Sequence, residues 1–145
     1  MSKLLEMTLT VNSVIDNLTE AGLPDGEPEI NIFTTLGAFS QLERSVRLAF
    51  CEENEGGKST STLYITGEGV RLSKRGAIES DMTFTEGEST KSLYRIGPYA
   101  FDVDITTKKI RCSLTEAGGE LQLIYAMNIG GQEKNVRMKI TAKRK

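Results

Sequence analysis

Four side chains of this chain are candidates for a polar site: Glu52, Arg75, Tyr94 and Tyr125. A carboxylate inside a protein needs a partner, because an unpaired buried charge costs several kcal/mol. Arg75 is the candidate partner of Glu52, and the two tyrosine hydroxyls could complete a hydrogen-bonded network. Such a set is either a satisfied group of buried polar side chains or the polar anchor of a ligand. The pairing rule favours the structural interpretation, and the ligand interpretation stays open.

The residues that enzymes use for nucleophilic or metal chemistry are scarce. The chain has no histidine, which excludes the usual serine or cysteine triad and any histidine-based metal site. Cys51 and Cys112 match no metal or redox spacing, so we expect them to be reduced and partly buried. Asp102 and Asp104 alternate with apolar residues and are expected on a solvated face. We therefore predict a non-enzymatic protein with no catalytic residue, no metal site and no cofactor.

An enzymatic alternative has one candidate residue. A hydrolase or isomerase would need a carboxylate that transfers protons in a pocket. Glu52 is the best candidate for that role.

Apolar and polar residues alternate with a period of two along most of the chain, which indicates antiparallel strands. The alternation is clearest in residues 101–105, FDVDI, and returns in residues 110–114, 121–129 and 136–140. Short connections with turn-forming residues separate these segments. The spacing predicts about eight to ten strands, as is typical of an all-β barrel or sandwich.

We predict an all-β fold with a single closed antiparallel meander barrel. Closure is favoured because a large sheet with one apolar face must bury that face and protect its edges. A two-sheet sandwich is the alternative. The alternation directs Glu52, Tyr94 and Tyr125 toward the interior. Arg75 points outward by the same rule, unless Gly76 marks a bulge.

Three features interrupt the strands of this single predicted domain, residues 1–145. Residues 17–28 contain two prolines and are predicted to form a loop, which is the candidate lid of a barrel mouth. Gly37 lies within a strand and predicts a bulge or a sharp bend. Residues 107–109 are predicted to form a hairpin turn.

The charge distribution limits the classes of partner. The net charge is −2, which gives no reason to expect nucleic acid or an anionic membrane. Lysine and arginine alternate with core residues along the strands, as on a solvated face. No long apolar run or leader pattern stands out. We expect a cytoplasmic protein that binds no nucleic acid and no membrane, and the oligomeric state stays open.

Several runs of the chain resemble a known family. They are KRGA at 74–77, MTFTEG at 82–87, LY at 93–94, PY at 98–99, FDVDITTKKI at 101–110, GG at 118–119 and LQLIY at 121–125. This pattern is similar to that of the YwiB-like family, which comprises small bacterial domains of unknown function. It extends from about residue 29 onward and is most specific between Arg75 and Tyr125. The resemblance implies a calycin fold, the lipocalin-like closed barrel.

Two positions depart from the family pattern, which has a tyrosine where Phe50 stands and a threonine where Ile96 stands. The loss of two polar groups fits a cavity lining that tolerates apolar exchange better than it fits a shared reaction. We therefore predict a binding module, a lipocalin-like barrel that holds a small, mainly apolar molecule through the four candidate side chains. The alternative is a structural or protein–protein interaction protein with a filled core.

Overall fold

The computed structural model describes residues 4–54 and 57–145. These residues contain ten β-strands and the loops between them. The strands are β1 (Leu5–Asn17), β2 (Glu29–Gln41), β3 (Ser45–Asn54), β4 (Gly57–Thr66), β5 (Gly69–Gly76), β6 (Ile78–Phe84), β7 (Ser89–Ile96), β8 (Tyr99–Cys112), β9 (Gly118–Ile129) and β10 (Gln132–Arg144). Within these residues, no helix is long and apolar enough to cross a membrane.

The strands form a closed meander. Each strand pairs antiparallel with the next one along the chain, and β10 pairs with β1. This closing pairing runs from Met7↔Arg144 to Asn17↔Lys134. It hides the two edges that an open sheet would expose. The prediction of an all-β closed antiparallel barrel is confirmed, and the two-sheet sandwich is wrong.

The alternation of residue types determines which side chains face the interior. In β6, Ile78, Ser80, Met82 and Phe84 are buried, and the residues between them are exposed. A slip of one residue would turn all four buried side chains toward water, so the pattern specifies the register strongly.

A bulge replaces the turn that was predicted at residues 107–109. Strand β8 continues through these residues, and its register on β9 shifts between Thr107 and Lys109. Lys108 is therefore the extra residue of a β-bulge. The bulge keeps the apolar side chains of both halves of β8 on the inner face, so the chain needs no turn there.

Gly37 does not form the predicted bulge. It pairs regularly with Met7 on β1 and Phe50 on β3. A Cβ atom at this position would lie 2.5 Å from Leu9 Cδ1. The glycine therefore makes room for a core side chain rather than bending the strand.

One end of the barrel is packed with apolar side chains. The largest of those that are almost completely buried include Met7, Leu9, Phe39, Leu48, Leu63, Phe84, Ile105, Leu121 and Leu123. This end contains the start of β1 and the end of β10, together with the turns that follow β2, β4, β6 and β8. The core therefore closes the barrel at the end where the two terminal strands begin and finish.

The seam between β2 and β3 is paired over part of its length. The described pairing runs from Gly37↔Phe50 to Gln41↔Val46. Beyond it, a cleft of about 610 Å³ is lined by residues 31–35 of β2 and residues 51–53 of β3. Thr35 Oγ1 donates a hydrogen bond of 3.3 Å to the carbonyl oxygen of Cys51 across this seam. The barrel wall therefore lacks described ladder pairing between β2 and β3 near the end opposite the core.

Both cysteines are free and exposed, so the expectation of partial burial is wrong. Cys51 occupies an outward position on β3, between the inward-facing Phe50 and Glu52. Cys112 is the last residue of β8, where the strand leaves the core.

Candidate functional site

The open half of the barrel encloses a cavity of about 460 Å³. Inward-facing residues of β1 to β7, β9 and β10 line it. Its deepest lining residues, Leu63 and Ile140, belong to the fully buried core. The cavity therefore has a floor at the packed end and a mouth at the opposite end of the barrel.

An ion pair lies on one wall of this cavity. Lys74 Nζ on β5 is 2.7 Å from Glu52 Oε1 on β3. Ser61 Oγ on β4 donates a hydrogen bond of 3.0 Å to the same carboxylate oxygen. The side chains of Lys74 and Glu52 are only 21% and 17% exposed. A shielded charge requires such a partner, and here lysine supplies it.

The strand register extends this pair into a longer polar strip. Ser61 pairs with Lys74, Lys74 pairs with Ser80, and Ser80 pairs with Tyr94 on successive strands. Directly paired residues of adjacent strands share one face of the sheet. We call Glu52, Ser61, Lys74, Ser80 and Tyr94 the polar arc. Ser80 Oγ is buried and has no hydrogen-bond partner among the described residues, which leaves one donor of the arc unused.

Tyr94 contributes a neutral hydroxyl to the polar arc. Burial raises the pKa of its phenol, and the negative charge of Glu52 raises it further. The phenol therefore stays protonated at neutral pH, and its hydroxyl can both donate and accept a hydrogen bond.

Tyr125 lies deeper, on β9, and is 8% exposed. Its ring centroid is 4.7 Å from that of Phe84, with an interplanar angle of 57°, a tilted arrangement that aromatic pairs prefer. Burial raises the pKa of Tyr125 to about 12. Its ring is part of the packed floor, and its hydroxyl remains protonated at neutral pH.

Arg75 lies outside the barrel, which corrects the predicted pairing with Glu52. Its Nη2 atom is 2.9 Å from Asp81 Oδ2, and its side chain is 55% exposed. Gly76, which could have marked a bulge, is the last residue of β5, so the alternation is unbroken up to Arg75. Partial burial alone would raise the pKa of Asp81. Hydrogen bonds from Arg75 and then Arg71 outweigh this effect and lower the pKa below its ordinary value.

The wall opposite the polar arc is apolar. It is formed by side chains of β1, β9 and β10: Val11, Ile15, Met127, Ile129, Val136 and Met138. Methionine is flexible and polarisable, so it adapts to irregular apolar shapes. The cavity is therefore amphipathic, with polar groups on one side and adaptable apolar groups on the other.

The loop of residues 18–28 lies at the open end but does not line the cavity. The backbone N–H of Leu18 donates to the carbonyl oxygen of Glu133 at 2.9 Å. Gln132 Nε2 donates to the carbonyl oxygen of Leu18 at 3.0 Å. These contacts fasten the loop to the β9–β10 hairpin, so the predicted lid does not cover the mouth here.

The aspartates of β8 face solvent, as the alternation predicts. Asp102 and Asp104 are both exposed, and Asp104 Oδ1 is 3.6 Å from Lys91 Nζ. Across residues 4–54 and 57–145, no group of three or more histidine, cysteine, aspartate or glutamate side chains could hold a metal ion.

The alternation placed all four candidate residues on the correct face of the sheet. Glu52, Tyr94 and Tyr125 all line the cavity, and Arg75 does not. The predicted partner of Glu52 was Arg75, which is wrong, and Lys74 is the partner. Lys74 has the same parity as the buried Leu72 two residues earlier, which indicates its inward position but does not specify its partner.

A closed ten-stranded meander barrel with one packed end and one amphipathic cavity defines a small β-barrel protein. The chain belongs to the family described as "Domain of unknown function (DUF1934)", which residues 18–141 match. It is 28% identical over 130 residues to the "Uncharacterized beta-barrel protein YwiB" of Bacillus subtilis (strain 168), covering 90% of this chain and 87% of that protein. The crystal structure of ywiB protein from Bacillus subtilis superposes with a TM-score of 0.86 at 27% identity, covering 98% of this chain and 93% of the other.

Proposed function

We propose that this protein is a non-enzymatic, cytoplasmic binding module, a lipocalin-like barrel that holds a small, mainly apolar molecule. The observation that carries the proposal is the amphipathic cavity of about 460 Å³. Small-molecule sites commonly have volumes of about 300–1,000 Å³, with apolar walls and a few convergent polar groups. The polar arc would orient the ligand, and the opposite wall would bury its apolar part.

The two walls of the cavity contribute differently to the binding free energy, because one is apolar and the other is polar. Burial of apolar ligand surface contributes roughly 25 cal/mol per Å². Hydrogen bonds to the polar arc mainly replace those the ligand made with water, so they contribute orientation more than affinity. The cavity volume also argues against a completely filled core.

Binding of the neutral dye Nile red tests the proposal, with one variant inside the cavity and one outside. Met138→Trp would fill the cavity. Arg137→Trp places the same side chain one residue earlier on β10, at an outward position. We expect dye fluorescence to rise with the wild type and Arg137→Trp, and Met138→Trp to bind at least tenfold more weakly. Equal binding by all three proteins, or no binding by any, would contradict the proposal.

The chain itself provides a second readout of this experiment. It contains no tryptophan, so each variant carries a single indole. A blue-shifted emission from Met138→Trp and a red-shifted emission from Arg137→Trp would establish that the two substitutions lie inside and outside the barrel. Native mass spectrometry of the purified wild type would then detect any ligand that the protein retains.

An interaction role is the second candidate, and the outer face of β2 favours it. Ile30, Ile32 and Leu36 are 61%, 62% and 51% exposed on this face. No charged residue occurs from Ile30 to Gln41, although strand edges are usually protected by charges. The described pairing with β3 stops at Gly37, so the backbone of the first half of β2 has no described strand partner on that side. A second copy of this chain fits best, because two uncharged edges can pair antiparallel without repulsion.

Sedimentation velocity over a range of concentrations tests this second candidate. Ile32→Lys places a charge on the β2 edge, and Leu93→Lys places one on another exposed apolar position. A dimer that is lost only in Ile32→Lys would support the role. A monomeric wild type at every concentration would contradict it.

A further inference from the structure

We propose that the cavity selects ligands with an uncharged polar head group, an alcohol or a primary amide, over carboxylates and amines with the same apolar body. This inference rests on the proposed function and specifies the ligand class of the same site. The geometry that points to it is the Glu52–Lys74 pair together with the unused donors and acceptors around it.

The charges that line the cavity balance. They comprise the carboxylates of Glu52 and Glu53 and the ammonium groups of Lys74 and Lys134. Glu53 is exposed and Lys134 is only partly buried; both lie at the mouth end of their strands. Deeper in the cavity, Glu52 and Lys74 neutralise each other at 2.7 Å. A charged ligand head brought to this pair would lose its hydration, attract one partner and repel the other.

The hydrogen-bonding capacity of the polar arc is mixed. Glu52 Oε1 interacts with Ser61 and Lys74, and Oε2 has no partner in the described contacts. The ammonium of Lys74 carries three N–H donors, and Glu52 is its one described ion-pair partner. The hydroxyl of Tyr94 adds both a donor and an acceptor. The arc can therefore accept from a ligand at Glu52 and donate to it at Lys74.

Only some head groups can both donate a hydrogen bond to Glu52 and accept one from Lys74. A hydroxyl or a primary amide donates and accepts. A carboxylate accepts only and leaves Glu52 Oε2 unmatched, whereas an ammonium donates only and competes with Lys74. An unmatched polar group in a shielded site costs free energy. The neutral head group is therefore the one that completes the arc without adding charge.

Displacement of Nile red by three ligands of equal chain length tests the selectivity. Decanol, decanoate and decylammonium are compared at neutral pH, below the concentrations at which they form micelles. For the wild type we expect decanol to displace the dye with an inhibition constant at least tenfold lower than either ion. Glu52→Gln leaves Lys74 unneutralised, so decanoate should gain at least tenfold relative to decanol. Lys74→Gln should produce the same gain for decylammonium.

The matched control is Glu79→Gln, which removes an exposed carboxylate from the outer face of β6. It should leave the order of the three ligands unchanged. The order of the three ligands on the wild type is one test that needs no variant. Glu52→Gln and Lys74→Gln add two more tests, because each favours a different ion. If one of these variants misfolds, the wild-type order and the other variant still test the inference.

The outcomes separate this inference from the function on which it rests. Equal displacement by all three ligands, or a wild-type preference for an ion, would overturn the head-group selectivity and leave the binding function standing. Failure of the wild type to bind Nile red, or of every ligand to displace it, would overturn the binding function and this inference together.

Discussion

Lys74 and Arg75 are adjacent in the chain, yet their charges lie on opposite sides of the barrel wall. Lys74 Nζ is 2.7 Å from Glu52 Oε1 inside, and Arg75 Nη2 is 2.9 Å from Asp81 Oδ2 outside. The two ion pairs have similar nitrogen–oxygen distances and different solvent exposure. They therefore form a matched comparison for the energetic effect of shielding.

We expect Lys74→Met to destabilise the protein more than Arg75→Met. Removal of Lys74 leaves the shielded carboxylate of Glu52 with the hydrogen bond from Ser61 but without a cation, at a cost of about 1–3 kcal/mol. Removal of Arg75 breaks an exposed pair, which contributes at most about 1 kcal/mol, and Asp81 keeps its hydrogen bond from Arg71. Urea unfolding followed by circular dichroism measures both losses.

The double variant Glu52→Gln with Lys74→Met provides a control for this prediction. It removes both charges, so it should recover part of the stability lost in Lys74→Met. Equal losses for Lys74→Met and Arg75→Met would mean that the interior pair is as well solvated as the surface pair.

The packed and open halves of the barrel should respond differently to truncation. Leu48 is completely buried at the closed end, and Leu48→Ala should cost about 2–5 kcal/mol because it leaves a new void. Met138 already borders the cavity, so Met138→Ala enlarges an existing space and should cost less than about 2 kcal/mol. Chemical denaturation of both variants checks the difference, and a larger loss for Met138→Ala would argue against an open cavity in solution.

Position 119 requires glycine for two reasons. Gly119 has a φ of +133°, and a Cβ atom there would collide with the carbonyl oxygen of Ser113. Gly87 has a φ of +80° with no heavy atom nearby, so alanine there meets only the backbone penalty of about 1–2 kcal/mol. We expect Gly119→Ala to lower the free energy of unfolding by at least about 2 kcal/mol more than Gly87→Ala. Thermal unfolding of the two variants measures this difference, which would vanish if the turn relaxes.

Tyr125 should contribute to the loss of stability at alkaline pH. Burial raises its pKa from 10.0 to about 12, so the folded state favours the protonated phenol. Its contribution is fully present below pH 10.0, the ordinary pKa, and is lost as the pH rises toward about 12. Two pKa units correspond to about 2–3 kcal/mol.

The variant Tyr125→Phe isolates this effect, because it removes the ionisable hydroxyl and keeps the ring against Phe84. Its unfolding free energy should fall less steeply than that of the wild type across the same pH interval. The phenolate absorbance should also lose the component that titrates last. Parallel pH profiles for the two proteins would place Tyr125 in contact with water.

The strand arrangement was predictable because one strong local signal repeats along the chain. The period-two alternation in β6 and in residues 101–105 of β8 indicates strands with one buried face, and short turns leave each strand only its neighbour to pair with. The inward positions of Glu52, Tyr94 and Tyr125 follow from the same parity. The bulge at Lys108 escaped prediction, because a polar pair inside a strand has the same composition as a hairpin turn.

The sequence by itself therefore determined the meander and the face of each strand, since both depend on contacts between neighbours in the chain. Only the tertiary structure decided which charge neutralises Glu52, because Lys74 on β5 reaches it across the intervening strand β4, and parity does not specify a partner two strands away. The tertiary structure also decided that the core fills one half of the barrel and leaves a cavity in the other. That outcome depends on how side chains from all ten strands fit into one closed volume, and no local pattern records such a fit.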